Sequence, residues 1–482
     1  MANHVASPTA APSVPATVPA TVHDALFTRI AWRLLPLLFT CYIVAYLDRV
    51  NVGFAKLQMV TELRWSDAIY GFGAGIFFVG YFLFEVPSNL LLERVGARRW
   101  IARIMVTWAI VSGAFAFVDV IPWGPLPALF RVEPSVFGFY ALRLLLGMAE
   151  AGFFPGIVLY LTYWFPAARR ARAFALFMTA VAVANVLGGP LSGWIMDTFD
   201  GTSGWSGWRW LFVLESLPSL MMGVVVLLLL PDGPADASWL TAEQRRIVAG
   251  ALAADQSDDA TRTTSSEKAR GAPATTREAL LSGSVWALAF VYFTMALALY
   301  GVNFWMPTII QELGIPRTDY LRVGLLATIP WGVAGVSMLL WGRHSDRTGE
   351  RRWHVVGALL ATACGLALLA VTGTRVVPSL LALSLVAAGV LSSMSTFWAI
   401  PTAYLRGTAA AAGIAWINSI GNLGGHFGPD LIGRVRTATG SSAAAFLTLA
   451  ALAVAGAAVL ALRSRSSQAG DAPPPGATPG AA

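Results

Sequence analysis

Cysteine and histidine are scarce in this chain, two and five among 482 residues. Cys41 and Cys364 fall in separate apolar blocks, which excludes a disulfide framework. With no histidine cluster and no H-E-x-x-H pattern, no ligand set for a metal is expected, and nothing points to a membrane-embedded hydrolase. Charge is scarce too: Asp, Glu, Lys and Arg make up 12% of the chain, against roughly 25% in a soluble domain. The formal net charge is +7, but the basic residues stand in short segments between apolar blocks. They form no aromatic-interleaved patch, so nucleic acid is excluded as a partner. Strict alternation of apolar and polar residues is also missing, so the apolar blocks read as helices and not as barrel strands. What remains, with 56% hydrophobic residues, is an all-α polytopic membrane protein. The lack of a large soluble domain disfavours a receptor.

Twelve blocks have the length of a crossing, for which about 20 apolar residues suffice. Six run over Leu34–Ala55, Tyr70–Leu92, Trp100–Val118, Val136–Trp164, Ala173–Met196 and Trp210–Leu230. Six more run over Val285–Ile310, Val323–Trp341, Val355–Thr372, Ser379–Tyr404, Ala409–Ile432 and Ala443–Leu462. The layout is a tail (1–28), a six-helix bundle (29–230), a polar linker (231–282), a second bundle (283–463) and a closing tail (464–482). Both tails and the linker have the composition of disordered segments, and the first tail lacks the pattern of a cleaved signal. Basic runs after even-numbered crossings, "ERVGARRW", "ARRAR" and "GRHSDRTGERRWH" among them, place both termini in the cytoplasm by the positive-inside rule. Arg434 and Arg436 are exceptions.

Intramembrane charge concentrates in the first half. In "AYLDRVNVGF", Ala45–Phe54, the apolar run before Asp48 is only ~13 residues, or ~20 Å of helix, too short to span. The helix must therefore continue through Asp48 and Arg49. In the fourth crossing Arg143 and Glu150 stand seven positions apart, nearly on one face. Counting helical rise from the membrane edge puts Asp48 and Arg143 at one depth, which predicts an ion pair between them. Arg49 is then expected to meet Glu150. Two carboxylates held by two arginines make a site whose proton affinity responds to an arriving anion, which is proton–anion symport in physical terms. Glu85 and Glu215, each beside a proline, read as partners of backbone groups freed near Pro87 and Pro218.

The second half offers Asn303, Ser395, Trp398, Asn418 and Asn422, polar groups that bind hydroxyls or carboxylates without adding charge. Bundle-holding hydrogen bonds are the plainer role for each taken singly. His426 and Asp430, four positions apart, read as a second proton site or an outer gate. "GGPLSGW", Gly188–Trp194, allows a close helix approach and a bend.

The loops repeat. "NLLLERVGARR", Asn89–Arg99, and "GRHSDRTGERR", Gly342–Arg352, share register and relate the two halves as duplicates. The charged and glycine positions are Glu93, Arg94, Gly96 and Arg98 in the first copy, and Gly342, Asp346, Arg347, Gly349 and Arg351 in the second. The second copy resembles the loop motif G-x-x-x-D-R-x-G-x-R-R of the major facilitator superfamily; the first departs from it at Asn89 and Glu93. "GGPLSGW" partly resembles that superfamily's fifth-helix antiporter motif.

The blocks "YLDRVNVGFAKLQM", "LRLLLGMAEAGFFPGIVLYLTYWFP" and "GIAWINSIGNLGGHFGP" resemble the anion:cation symporter family within it, closest in look to the tartrate, phthalate and hydroxyphenylacetate permeases. The resemblance implies two pseudo-symmetric halves of the major facilitator fold that rock to import an organic carboxylate with protons across a bacterial inner membrane. It implies no cofactor beyond the proton gradient, and a monomer is expected. Carried over by position, it makes Asp48 and Glu150 the proton-coupling acids and Arg49 and Arg143 the carboxylate holders. Tyr46, Tyr81 and Trp398 become substrate-facing aromatics and Asn418 the eleventh-helix amide, with Asn303 and Asn422 added as pocket polar groups. Sugar-acid members look to carry an amide midway along the fifth helix, where this chain offers mainly Thr179 and Asn185, so polyhydroxylated substrates are less favoured. A drug–proton antiporter is the rival reading, disfavoured by the paired arginines.

Overall fold

A computed structural model describes residues 20–266, 275–405 and 407–469. Among them all regular structure is helical. The amino-terminal half contains α1 (Ala20–Val50), α2 (Val52–Glu62), α3 (Asp67–Val95), α4 (Ala97–Ala114), a short α5 (Leu126–Leu129), α6 (Pro134–Glu150), α7 (Phe153–Thr162), α8 (Ala167–Phe199) and α9 (Gly207–Leu229). Two helices follow, α10 (Ala242–Ser266) and α11 (Thr276–Leu281). The second half holds α12 (Gly283–Gln311), α13 (Tyr320–Thr348), α14 (Arg352–Thr372), α15 (Val376–Phe397), α16 (Ala399–Tyr404), α17 (Gly407–Asn422), α18 (Gly424–Thr439) and α19 (Ala443–Ala469).

Among the described residues 11 stretches are long and apolar enough to cross a membrane. The first is His23–Glu62, so the helix does run through Asp48 and Arg49 and the two charges lie inside it. Crossing eleven is split at Leu423 into α17 and α18, 16 residues each, and Asn418, Asn422, His426 and Asp430 make it more polar than the rest. Apolar burial explains the layering. In α12 78% of its apolar window is buried, against 39% in α9 and α13, so α12 is enclosed between the halves while α9 and α13 each bury one face and turn the other outward.

Several boundaries differ from those expected. Helix α1 starts at Ala20, inside the segment read as a tail, and Leu26 and Phe27 are buried. The linker is not featureless: α10 forms, Val248 is buried, and Trp239 stacks on Trp164 at 5.8 Å. Helix α19 runs on to Ala469. Residues 1–19, 267–274 and 470–482, which complete the expected tails and linker, lie outside the described residues.

The halves meet most closely at the end opposite the basic loops. Helix α3 packs on α18 and α8 on α13 through glycines: a Cβ on Gly71 would lie 2.5 Å from the Pro429 carbonyl, and one on Gly324 2.1 Å from that of Gly189. Backbone touches backbone there because side chains are missing. The "GGPLSGW" segment thus makes the close approach expected of it, within an unbroken α8.

Candidate functional site

The centre of the molecule is built around Arg49, 6% exposed on α1. Its Nε lies 3.1 Å from Glu150 Oε1 and its Nη2 bonds the same oxygen, while Nη1 lies 3.2 Å from the Tyr300 hydroxyl on α12. Glu150 is positioned by a helix break. Helix α6 ends on it because Gly152 adopts φ +85°, where a side chain is strained, and a Cβ there would also sit 2.3 Å from Ser88 Oγ. The rings of Tyr46, Phe77 and Tyr81 surround the Arg49 guanidinium at 5.6, 5.4 and 5.8 Å, close enough for cation–π attraction. The expected Arg49–Glu150 pair is therefore present.

The expected Asp48–Arg143 pair is not. Arg143, 1% exposed, donates to the backbone carbonyls of Ala74 (2.9 Å), Gly73 (3.4 Å) and Arg49 (3.4 Å). Phe77 and Phe304 cover it at 5.2 and 5.4 Å. Among the described residues no carboxylate is within ion-pair distance of it. Asp48 instead accepts from Trp108 Nε1 (3.1 Å), Ser112 Oγ (2.9 Å) and Ser219 Oγ. Arg143 does lie at the expected depth, since it reaches the backbone of the residue next to Asp48. Azimuth separates the two: Asp48 and Arg49 are ~100° apart on the helix, and with Arg49 facing the centre, Asp48 turns toward α4 and α9.

Polar groups from the second half close over this centre. Asn303 Nδ2 donates to the Tyr46 hydroxyl at 3.1 Å and to Asn185 Oδ1 at 3.3 Å. Asn418 donates to Glu85 Oε1 at 2.6 Å, bridging the halves nearer the basic loops. Trp398 packs edge-on against Tyr292 at 4.9 Å and against Phe397 at 5.4 Å, within the second half, and Asn422 ends α17. Neither is brought to Arg49 by a described contact. Tyr300 and Phe304 are the residues that sequence reasoning passed over; Tyr300 stands one turn before Asn303, on the same helix face.

Three further expectations need correction. Glu85 and Glu215 do not serve backbone groups freed by proline: Glu85 takes the Asn418 amide, and Glu215 Oε1 takes Ser192 Oγ at 2.7 Å. Asp430 pairs with Arg434 at 2.8 Å and not with His426, whose ring packs on Phe72 at 5.5 Å. The two loop copies also differ in pairing. In the second, Asp346 bonds Arg351 at 2.6 Å and Gly349 has φ +68°. In the first, Glu93 stays exposed and Asp232, just beyond α9, takes its place, accepting from the Arg98 amide at 2.8 Å beside Gly96, whose φ is +95°.

A cavity of ≈ 20 Å³ lies between the halves, lined by Asn185, Gly188, Ser192, Asn303, Pro307 and Trp331 among others. Its volume admits about one water, whereas ligand sites usually offer ~300–1,000 Å³. At this cavity the halves are contracted against each other, and a solute that is to occupy it needs them to part.

Residues 38–429 match the family model described as Major Facilitator Superfamily. A relative from Agrobacterium vitis named "Putative tartrate transporter" is 48% identical over 439 residues, covering 91% of this chain and 91% of its own. One from Acinetobacter baumannii named "Quinolone resistance transporter" is 39% identical, covering 86% of this chain and 89% of its own. Among solved structures, one titled as a D-xylose-proton symporter superposes with a TM-score of 0.67 at 15% identity, covering 89% of this chain and 97% of that one. At that identity the likeness concerns the fold of two six-helix halves alone.

Proposed function

This chain belongs to the Major Facilitator Superfamily, and from that membership we propose a proton-coupled symporter that imports a small organic carboxylate by alternating access. The bundles 29–230 and 283–463 rock against each other about the linker 231–282, as a monomer in a bacterial inner membrane, with both termini cytoplasmic. The single observation that carries the reading is Arg143: a fully buried guanidinium with no carboxylate partner among the described residues, bonded to the backbone of the residue that pairs with Glu150. A buried unpaired cation is costly and is stabilised by an anion that enters.

In this reading the incoming carboxylate binds Arg143 and competes for Arg49. Glu150, released from Arg49, then takes up a proton, and Asp48 exchanges another on its own side of α1. Tyr46, Tyr81 and Asn303 shape the pocket, joined by Trp398, Asn418 and Asn422 when the halves move. The loop residues Glu93, Arg94, Gly96 and Arg98, with Gly342, Asp346, Arg347, Gly349 and Arg351, act in gating. No cofactor is involved; the proton gradient drives the cycle. Tartrate, phthalate and hydroxyphenylacetate are the solutes to try first, and the Agrobacterium relative's name supports the first.

The test is uptake into proteoliposomes under an imposed pH gradient. Accumulation of one of these acids that vanishes in Arg143→Ala and in Glu150→Gln supports the reading; full accumulation in either folded variant overturns the roles of the two residues. The Acinetobacter relative favours a second reading, proton-driven drug export. Quinolones are themselves aromatic carboxylic acids, so the same guanidinium suits them, and the direction of transport against the gradient separates the two.

A further inference from the structure

Behind Arg49, the amino-terminal half buries two acids, Asp48 and Glu215, and among the described residues neither is ion-paired to a base. Asp48 is 2% exposed and receives only neutral donors, Trp108, Ser112 and Ser219. One turn before Ser219 on α9 stands Glu215, 3% exposed, with Ser192 bonded to Oε1 and no partner for Oε2. One turn after Asp48, Asn51 faces Glu215 with neither amide atom bonded. The groups brought here by α1, α4, α8 and α9 are two carboxyls, one amide, three serine hydroxyls and an indole. Arg49, next to Asp48 in the chain, is committed to Glu150 and Tyr300 on the other face of α1.

Two buried carboxylates with no cation are untenable in a low-dielectric interior, so at least one of them is a neutral acid. Asn51 beside Glu215 can serve either form of it: an ionised Glu215 accepts from Nδ2 and a protonated one donates Oε2–H to Oδ1. It is therefore the absence of a bonded cation among the described residues that calls for the proton. The route for that proton is in view as well. Ser192, which donates to Glu215, also lines the cavity between the halves together with Asn185 and Asn303. A hydronium there gives its proton to Ser192 Oγ and is left as water, while Ser192 gives its own proton to Glu215 Oε1. A half-turn of the carboxyl then turns that oxygen toward Asn51, and the reverse sequence releases the proton.

We propose that Glu215 is a proton-carrying residue of this transporter, loaded from the interface cavity through Ser192 and working beside Asp48, separately from the Arg49–Glu150 pair. The proposal rests on the symport reading for its use in transport, but its chemistry is testable without any solute. Infrared titration of the purified full chain in lipid vesicles should show buried carboxylic-acid bands that respond to pH. Glu215→Gln, which keeps an oxygen for Ser192, should remove one of them. Persistence of every band in that variant overturns the proposal. So does a band that shifts on adding sodium ion at fixed pH, since the same oxygens would then be holding a cation. Ser192→Ala should slow the band's response to a pH jump several-fold, and an unchanged rate overturns the route.

In transport, loss of one coupled proton lowers the limiting accumulation about tenfold for each pH unit of gradient. Glu215→Gln should show that loss while a carboxylate still raises the melting temperature of the protein. If the wild type takes up no carboxylate yet the Glu215 band is present and lost in the variant, the symport reading has failed and the assignment of Glu215 has not.

Discussion

Arg49 and Tyr300 join the two halves of the molecule across the polar centre, guanidinium Nη1 to phenolic oxygen at 3.2 Å. The same guanidinium bonds Glu150 through its other two nitrogens. One side chain therefore reports on both the charge state of the amino-terminal half and the position of the second half. Protonation of Glu150 would free two of its donors, and separation of the halves would free the third.

Tyr300→Phe removes the contact between halves while leaving the ring that stacks on Phe304 at 6.1 Å. A hydrogen bond to a charged group contributes about 1.5–3 kcal/mol, so the contracted state should lose at least ~tenfold in population. Solute affinity by thermal shift and the cross-half distance by spin labels should both move. Arg49→Lys should fare worse than its conserved charge implies, because a single ammonium cannot replace a fork that bonds Glu150 and Tyr300 at once.

A second bridge holds the end opposite the basic loops. Arg436 on α18 bonds Asp67 Oδ2 at 2.9 Å and Glu312 Oε1 at 2.5 Å, and Asp67 also takes Lys56 at 3.0 Å. Asp67 and Lys56 belong to the first half and Arg436 and Glu312 to the second, so Arg436→Ala should loosen that end. A coupling of about 1–3 kcal/mol corresponds to 5–150-fold, and Asp67, whose side chain is 23% exposed at the contact that joins the halves, favours the lower part of that range. Labelling of a cysteine placed at Ala68 should quicken accordingly.

These contacts show what a sequence can and cannot disclose. Helix lengths, the two halves and the depth of Asp48, Arg49, Arg143 and Glu150 follow from hydropathy and a fixed rise per residue. Which way a buried side chain turns does not, because ~100° separates neighbours and packing chooses among the faces. Arg143 goes to the carbonyls of Gly73 and Ala74 because α6 packs tightly on a glycine-lined stretch of α3, where a Cβ on Gly73 would overlap the Phe139 ring at 2.0 Å. Tyr300 was legible, one turn from Asn303. The Glu85–Asn418 bridge was not, since it depends on how two distant segments dock.

Outside the membrane, Asp119 follows α4 and receives both Nη atoms of Arg209 at 2.8 Å. That fork holds its carboxyl below the usual carboxylate range, against a smaller opposing effect of burial. A folded value lower than the unfolded one means that the stabilisation is full above the unfolded value of ~3.9 and is lost as pH falls through the folded one. Melting temperature should therefore drop on acidification below about pH 4, and Asp119→Asn should be less stable at neutral pH with a flatter acid limb. Parallel acid limbs in the two proteins would mean that the pair contributes nothing to acid sensitivity. The effect is modest because Asp119 is partly exposed.

The tightest backbone approach between the halves gives the sharpest test of how they move. Gly189 and Gly324 each lack the atom that the other's carbonyl would strike, at 2.7 and 2.1 Å. Gly324→Ala forces α8 and α13 apart at that point, and overpacking of this kind costs about 1–3 kcal/mol. Because the strain exists only while this end is closed, the substitution should destabilise the closed arrangement and spare the one in which the halves separate at this end. Labelling near Tyr320 should rise in Gly324→Ala and Gly189→Ala alike. Adding Arg436→Ala should raise it further by a nearly independent factor, since the α3–α18 and α8–α13 contacts share no residue. Equal labelling in all these proteins would mean that this end does not open during transport.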